Sequence, residues 1–263
     1  MPYACIFVPN FPVEALLRVE PELRARAFAV LEGKAPLQKV FAVNPNARRA
    51  GVEPGMTKIQ VEPCADLVLR PRSPFLEDTA HTALLDCAQS FSPRVEDTAQ
   101  DTIILDLAGL KTLFGPLHKV AGDLARRAST VGLEAQVAVA ENPDAAVLAA
   151  RGFSGVTVIP EGEAAEQLSR LPLEVLFAEQ STDQESELVL DTLHRWGLRR
   201  LGELARLPEI AISERLGQRG VYLQTLARGS AARTLVPFEP PRAFQKPSSS
   251  NIPWFCSSRW RVC

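Results

Sequence analysis

The sequence predicts a mixed α+β protein that turns all-helical partway along its 263 residues. Short apolar runs alternate with amphipathic helical stretches as far as Gly162, and no strand signal follows it. The run from Asp101 to Leu107 is rich enough in branched apolar residues to be a buried central strand, entered from Val95 through a polar turn. At 46% hydrophobic and 23% charged, the chain has the composition of a globular protein, long enough for more than one module.

In order, Tyr3–Val8 reads as a strand stopped by Pro9-Asn10, and Val13–Arg18 as a helix. Two short strands follow at Phe28–Leu31 and Val40–Val43, around a Gly33–Pro36 turn. NPNARRAGVEPGM, from Asn44 to Met56, suits a helical turn closed by Gly51, and Asp66–Leu69 a short strand before the proline-rich joint RPRSP. Phe75–Phe91 and Leu117–Thr130 carry apolar residues at helical spacing, Ala145–Arg151 follows a capping Asn142, and Ala135–Ala140 and Val156–Ile159 read as strands. The first strand and the central strand lie so far apart that 9–74 reads as an insertion between them. Helices are expected at 163–169, 185–196, 200–206, 211–216 and 219–228, with WGLRRLG joining two of them as a helix-hairpin-helix turn does.

The net charge of -2 announces no basic field. Its distribution is uneven: residues 161–192 hold nine acids and one arginine, whereas 194–233 hold eight arginines and three glutamates. Nucleic-acid contact therefore stays open for the second segment alone. Cys5, Cys64, Cys87, Cys256 and Cys263 are odd in number and lack a CxxC pair, as expected of reduced thiols. His81, His118 and His194 have no companions at metal-ligand spacing. With no signal peptide and no membrane-length apolar run, a soluble cytoplasmic protein is expected.

On these residues the chain resembles the Y-family translesion DNA polymerases, the DinB/UmuC group, over about residues 3–235. NPNARRAGVEPGM resembles the fingers signature in which Tyr-x-Ala-Arg-x-x-Gly-Val precedes Gly-Met. VEDTAQDTIILDLAGL resembles the palm segment ending in Ser-x-Asp-Glu-x-x-x-Asp, and WGLRRLGELARLP resembles the second thumb hairpin. The resemblance implies a ferredoxin-like palm at 1–8 and 75–162, split by inserted fingers at 9–74. A helical thumb with helix-hairpin-helix character is implied at 163–235, leaving 236–263 as a disordered or aberrant tail.

The family's chemistry needs two magnesium ions about 3.5–4 Å apart, held by carboxylate oxygens. Placing Phe11 on the family's aromatic after the first strand puts Phe7 at the first carboxylate position; Asp101 matches the second and Thr102 replaces the third. Asp101 is thus left as a residual metal position, though a lone acid at a strand mouth is more often a solvated turn residue. The triphosphate clamp keeps Arg48 but has Pro45 in place of its tyrosine, and a phosphate-binding lysine falls near Val147. The stretch from Ala178 to Ser186, where the family cradles DNA phosphates with Gly-x-Gly, is acidic and has no glycine. Arg195, Arg199, Arg200 and Arg206 are the candidate DNA contacts of the thumb.

This pattern is similar to the ImuB subfamily, thought to be catalytically silent. The resemblance implies an adaptor of SOS mutagenesis that binds primer-template DNA weakly, together with an ImuA-type protein and an error-prone C-family polymerase. The subfamily's little finger and clamp-binding motifs are not legible after the thumb, so clamp binding is not carried over. No cofactor is expected. The alternative is an active error-prone DNA polymerase whose magnesium is held by Asp101 and shifted acids such as Glu96 or Asp106.

Overall fold

The computed structural model describes residues 1–64, 66–177 and 184–238. The chain runs β1 (Tyr3–Phe7), α1 (Phe11–Leu17), β2 (Phe28–Glu32), β3 (Lys39–Val43), α2 (Pro45–Arg49), α3 (Lys58–Val61) and β4 (Val68–Pro71). It continues with α4 (Pro74–Gln89), β5 (Val95–Ala99), β6 (Thr102–Asp106), α5 (Lys111–Phe114), α6 (Leu117–Thr130), β7 (Gln136–Ala140), α7 (Pro143–Gly152) and β8 (Val156–Val158). After these come α8 (Ala164–Leu168), a 3-10 turn (Leu173–Phe177), α9 (Gln184–Arg195), α10 (Leu201–Arg206) and α11 (Glu209–Ala227).

The palm sheet has the order β5-β6-β1-β7-β8, with β1 antiparallel to both β6 and β7. Leaving out β8, this is the ferredoxin-like arrangement: β1-α4-β5, then β6-α6-β7, with the first strand between the last two. Alternation along the strands divides the core in two. Ala4, Ile6, Ile103 and Leu105 face α4 and α6, meeting Ala80, Leu84 and Leu124. Cys5, Ile104 and Ala138 face α7, behind which the thumb residues Leu168, Leu173 and Leu223 continue the same apolar cluster.

Between β1 and α4 the chain builds a second sheet, β3-β2-β4. The NPNARR motif is tied to it through Asn44, a buried side chain whose Oδ1 accepts from Ala47 N at 2.8 Å and Phe28 N at 3.0 Å. Asn44 thus caps α2 and pins β2, while Pro45 supplies a preset φ at the first helical turn. Gly51, at φ +84°, lets the chain turn left-handed out of this motif. The fingers are anchored to the palm by arginines: Arg18 Nε donates to Val131 O at 2.9 Å, and Arg24, which forks onto Glu14 within the insertion at 3.0 Å, pairs with Glu134 of the palm at 2.9 Å. Burial raises the Glu14 carboxyl above its ordinary value, and Arg24 opposes it.

In the thumb, the WGLRRLG turn docks on the segment after α8, with Leu173 N donating to Arg199 O at 3.0 Å and Leu201 N to Leu171 O at 2.9 Å. Gly202 permits this approach, since a Cβ there would lie 2.8 Å from Ser169 Cβ. The fully buried Gln224 donates to Leu204 O and Leu207 O at 3.0 and 2.7 Å, closing the end of α10. The expected break in the last helix falls at Gly217, whose φ of +61° and ψ of -155° lie outside the helix.

Three expectations change. The central strand starts at Thr102, so Asp101 belongs to the turn before it. Residues 95–99, read as a polar turn, form β5, because Glu96 finds a partner in Arg233 and Asp97 one in the His81 ring. The tail expected from 236 is tied to the palm at its start: Val236 N donates to Glu96 Oε2 at 2.7 Å and Phe238 N to Val95 O at 2.6 Å. The rest of that tail lies outside the described residues.

The thiols differ in burial. Burial pushes Cys87 up to about 11, against the opposing charge of Arg127. Cys87 and Cys5 are buried, whereas Cys64 is half-exposed. At pH 8, iodoacetamide is expected to modify Cys64 well before Cys87, read by mass spectrometry of peptides over a time course. Equal rates would show that α4 opens readily.

Candidate nucleic-acid interface at the end of the palm sheet

The β5–β6 hairpin carries Asp101 and Thr102 to one end of the palm sheet, and β1 delivers Phe7 to the same end. Phe7 pairs in register with Thr102 on one side and with Gln136 on the other. Val8 N donates to Asp101 O at 2.9 Å, fastening the hairpin tip to the end of β1. From α4, His81 meets Gln100 O at 3.0 Å through Nδ1 and Asp97 Oδ2 at 3.1 Å through Nε2. The three positions matched to the family's carboxylates are therefore neighbours.

Their side chains are chemically mixed. Thr102 Oγ1 donates to Asp101 Oδ1 at 2.7 Å and accepts from Arg151 Nη2 at 3.3 Å. The Arg151 guanidinium also lies 5.7 Å from the centroid of the Phe7 ring, within cation–π range. One carboxylate, a hydroxyl, a phenyl ring and a guanidinium thus meet where a two-metal site needs several carboxylates.

A magnesium pair does not fit these residues. Magnesium demands near-octahedral oxygen coordination, and a phenyl ring has no donor. The shifted acids do not come to the site. Asp106 stands five residues along the strand from Asp101, about 17 Å at the usual rise, where it pairs with Arg94 at 2.8 Å and accepts from Ala108 N. Glu96 is held by both oxygens to Arg233 Nη1 at 2.8 Å. Among the described residues, no group of three or more His, Cys, Asp or Glu side chains could hold a metal ion.

The other predicted residues lie apart from this end. Arg48 is exposed beside a shallow concavity lined by Asn10, Val43 and Pro45. Val147 is buried on α7, one turn before Arg151. In the thumb, Arg195 pairs with Asp191 at 2.8 Å, Arg199 Nη1 donates to His194 O at 2.8 Å, and Arg206 is exposed. Glu203 accepts from the amides of Arg199 and Arg200 at 2.6 and 3.1 Å, which lowers its carboxyl below its ordinary value. His194 faces Glu174 at 3.3 Å, and His118 lines a groove at the opposite end of the palm sheet. Of the glycine-free stretch 178–186, residues 178–183 lie outside the described residues.

Sequence reading did not find Arg151 or Arg233. Arg151 left one signal, a basic residue one helical turn after the position matched to the lysine. Arg233 left none: its partners Glu96 and Asp144 are 137 and 89 residues away.

The profile of the impB/mucB/samB family matches residues 6–151. Protein ImuB of Caulobacter vibrioides (strain NA1000 / CB15N) is 30% identical over 190 residues, covering 72% of this chain and 38% of that protein. DNA polymerase IV of Dehalococcoides mccartyi (strain CBDB1) is 28% identical over 223 residues, covering 80% of this chain and 54% of that protein. The chain thus spans between about two fifths and just over half of these relatives. The crystal structure of DinB from Sulfolobus solfataricus superposes with a TM-score of 0.73 at 17% identity, over 90% of this chain and 70% of that one. An insertion ternary complex of Dbh DNA polymerase gives 0.70 at 17% identity, over 89% and 69%. With more than half of its length matched, the chain belongs to the impB/mucB/samB family and has the fold of the Y-family DNA polymerases.

Proposed function

We propose that this protein is a polymerase-like accessory factor of translesion DNA repair that has no nucleotidyl-transfer activity and works as a DNA- and protein-binding adaptor. The observation that carries the reading is the pairing of Phe7 with Thr102 at the end of the palm sheet, with the Arg151 guanidinium beside them. Two-metal catalysis requires an anionic cradle there, and a single carboxylate beside a guanidinium does not make one. Primer-template DNA is the first partner, held weakly through phosphates by the thumb arginines Arg195, Arg199, Arg200 and Arg206. An ImuA-type protein and a C-family polymerase are the protein partners, in the cytoplasm and in SOS mutagenesis. These partners follow from the resemblance to the ImuB subfamily, to which the 30% identity with Protein ImuB of Caulobacter vibrioides adds support at the level of the family. No resident metal or cofactor belongs to this reading.

Primer extension tests it, with magnesium and with manganese, comparing the wild-type chain with Asp101→Ala. Neither protein is expected to extend the primer. Extension by the wild type that disappears in Asp101→Ala would overturn the reading and make the chain an active polymerase with altered metal ligands.

A further inference from the structure

The two edges of the palm sheet differ. Its strand order ends in β5 on one side and in β8 on the other. The β5 edge is met by the chain leaving the thumb, where Phe238 N donates to Val95 O at 2.6 Å. Among the described residues, no strand pairs with the outer side of β8. Gly155 O accepts from Val137 N at 2.9 Å, and Ile159 N donates to Val139 O at 2.8 Å. Backbone groups alternate in direction along a strand, so those of Val156 and Val158 point away from β7. Sheet edges are commonly blunted by a lysine, a proline or a bulge, yet the VTV of β8 has none of these, and Val156 is 44% exposed. The strand is three residues long, so pairing along it needs side chains to add to the main-chain bonds.

A groove beside β8 offers that addition. Val158 and Ile159 join Leu107, Leu117 and Val139 in the walls of a cavity of about 540 Å³ bounded by α6, β7 and β8. Its lining has two carboxylates, Glu141 and Glu161, beside His118, and no lysine or arginine. Glu141 is fixed by accepting from Gly162 N at 3.0 Å, and Glu161 is exposed. The groove lies at the end of the sheet where Tyr3 pairs with Ala140, the far end from Phe7 and Gln136.

We propose that β8 and this groove are the protein-docking surface of the adaptor, taking an extended segment of a partner protein that alternates apolar residues and carries a lysine or arginine. The segment adds as a further strand outside β8. Main-chain bonds to Val156 and Val158 hold it, and alternate side chains entering the groove give specificity. Its cation meets Glu161 at the rim, where charge complementarity selects the partner. The inference rests on the protein-binding half of the adaptor reading and adds to it a place and a chemistry.

The test starts from random peptides displayed on phage, selected on the full chain and then measured singly by fluorescence anisotropy. Enriched peptides are expected to alternate apolar residues and to carry lysine or arginine. Val158→Pro removes an outward amide and no bond to β7, a change that an edge strand tolerates. It is expected to weaken peptide binding roughly fivefold, the effect of about one hydrogen bond. Glu161→Lys, in an exposed turn, is expected to weaken binding roughly tenfold and to flatten its dependence on salt. Urea midpoints check both folds, and Glu161→Lys decides alone if Val158→Pro does not fold. Failure to enrich any peptide, an enriched set without a cation, or binding that neither variant changes overturns the proposal. Binding weakened by Glu161→Lys but not by a folded Val158→Pro overturns strand addition. A wild-type dimer in light scattering that Glu161→Lys dissociates assigns the surface to a second copy of the chain and overturns a foreign partner. Primer extension by the wild type overturns the adaptor reading whatever the peptides do, so the two failures are told apart.

Discussion

Phe28→Ala is expected to destabilise the protein by about 3–5 kcal/mol, the range for deleting a buried phenyl ring and leaving a cavity. Phe28 is fully buried in β2, and its ring packs with Val13, Leu16, Leu17 and Leu23 in a cluster separate from the two palm clusters. Asn44 fixes the Phe28 backbone from the other side, so the site has little freedom to collapse around the lost volume. Against a typical domain stability of about 5–15 kcal/mol, this is a large fraction. Urea denaturation measures the total, and native-state hydrogen exchange locates it. Amides of β2, β3 and β4 are expected to lose protection first, with those of β1 and β6 retained. Uniform loss across both sheets would show that fingers and palm open as one unit.

Arg233→Ala is expected to cost about 2–3 kcal/mol, discounted from the usual penalty for breaking a buried pair because the side chain is 31% exposed. Removing the guanidinium strands Glu96 and Asp144, whose side chains are only 10% and 14% exposed. Burial alone would lower the Arg233 pKa, but its bonds to Glu96 and Asp144 outweigh burial and hold it above the ordinary arginine value. The charge therefore persists throughout the working pH range. Arg233→Lys is expected to recover only part of the loss, since a point charge does not fork between two carboxylates as a guanidinium does. The urea midpoint reads the energy. Protection of the Phe238 amide, bonded to Val95 O, reads whether the chain leaving the thumb still lies on β5. An unchanged midpoint would show that Glu96 and Asp144 are satisfied by water.

Both effects concern residues whose importance the linear pattern reveals unequally. Phe28 announces itself as an apolar residue in a branched run, and its burial is what such a run predicts. Arg233 is one more arginine in a basic stretch, indistinguishable by spacing from the exposed Arg206. β5 was hidden for the related reason that Val95–Ala99 is mostly polar, and a polar strand is stable only where distant partners satisfy it. His81 and Arg233 do that here.

What this sequence determines by itself is local or positional. Helical periodicity marks Leu117–Thr130, a glycine breaks the last helix at Gly217, and the motif order places an insertion between β1 and the rest of the palm. The motif order is also what matches Phe7 and Thr102, as an expectation from the resemblance, to the family's carboxylate positions. Only the tertiary structure decided that Arg151 reaches Thr102, that Arg233 joins β5 to α7, and that the chain after the thumb returns to the palm edge. Each of these contacts joins residues dozens of positions apart, and their pairing energy depends on distance and burial, which no periodicity in the sequence encodes.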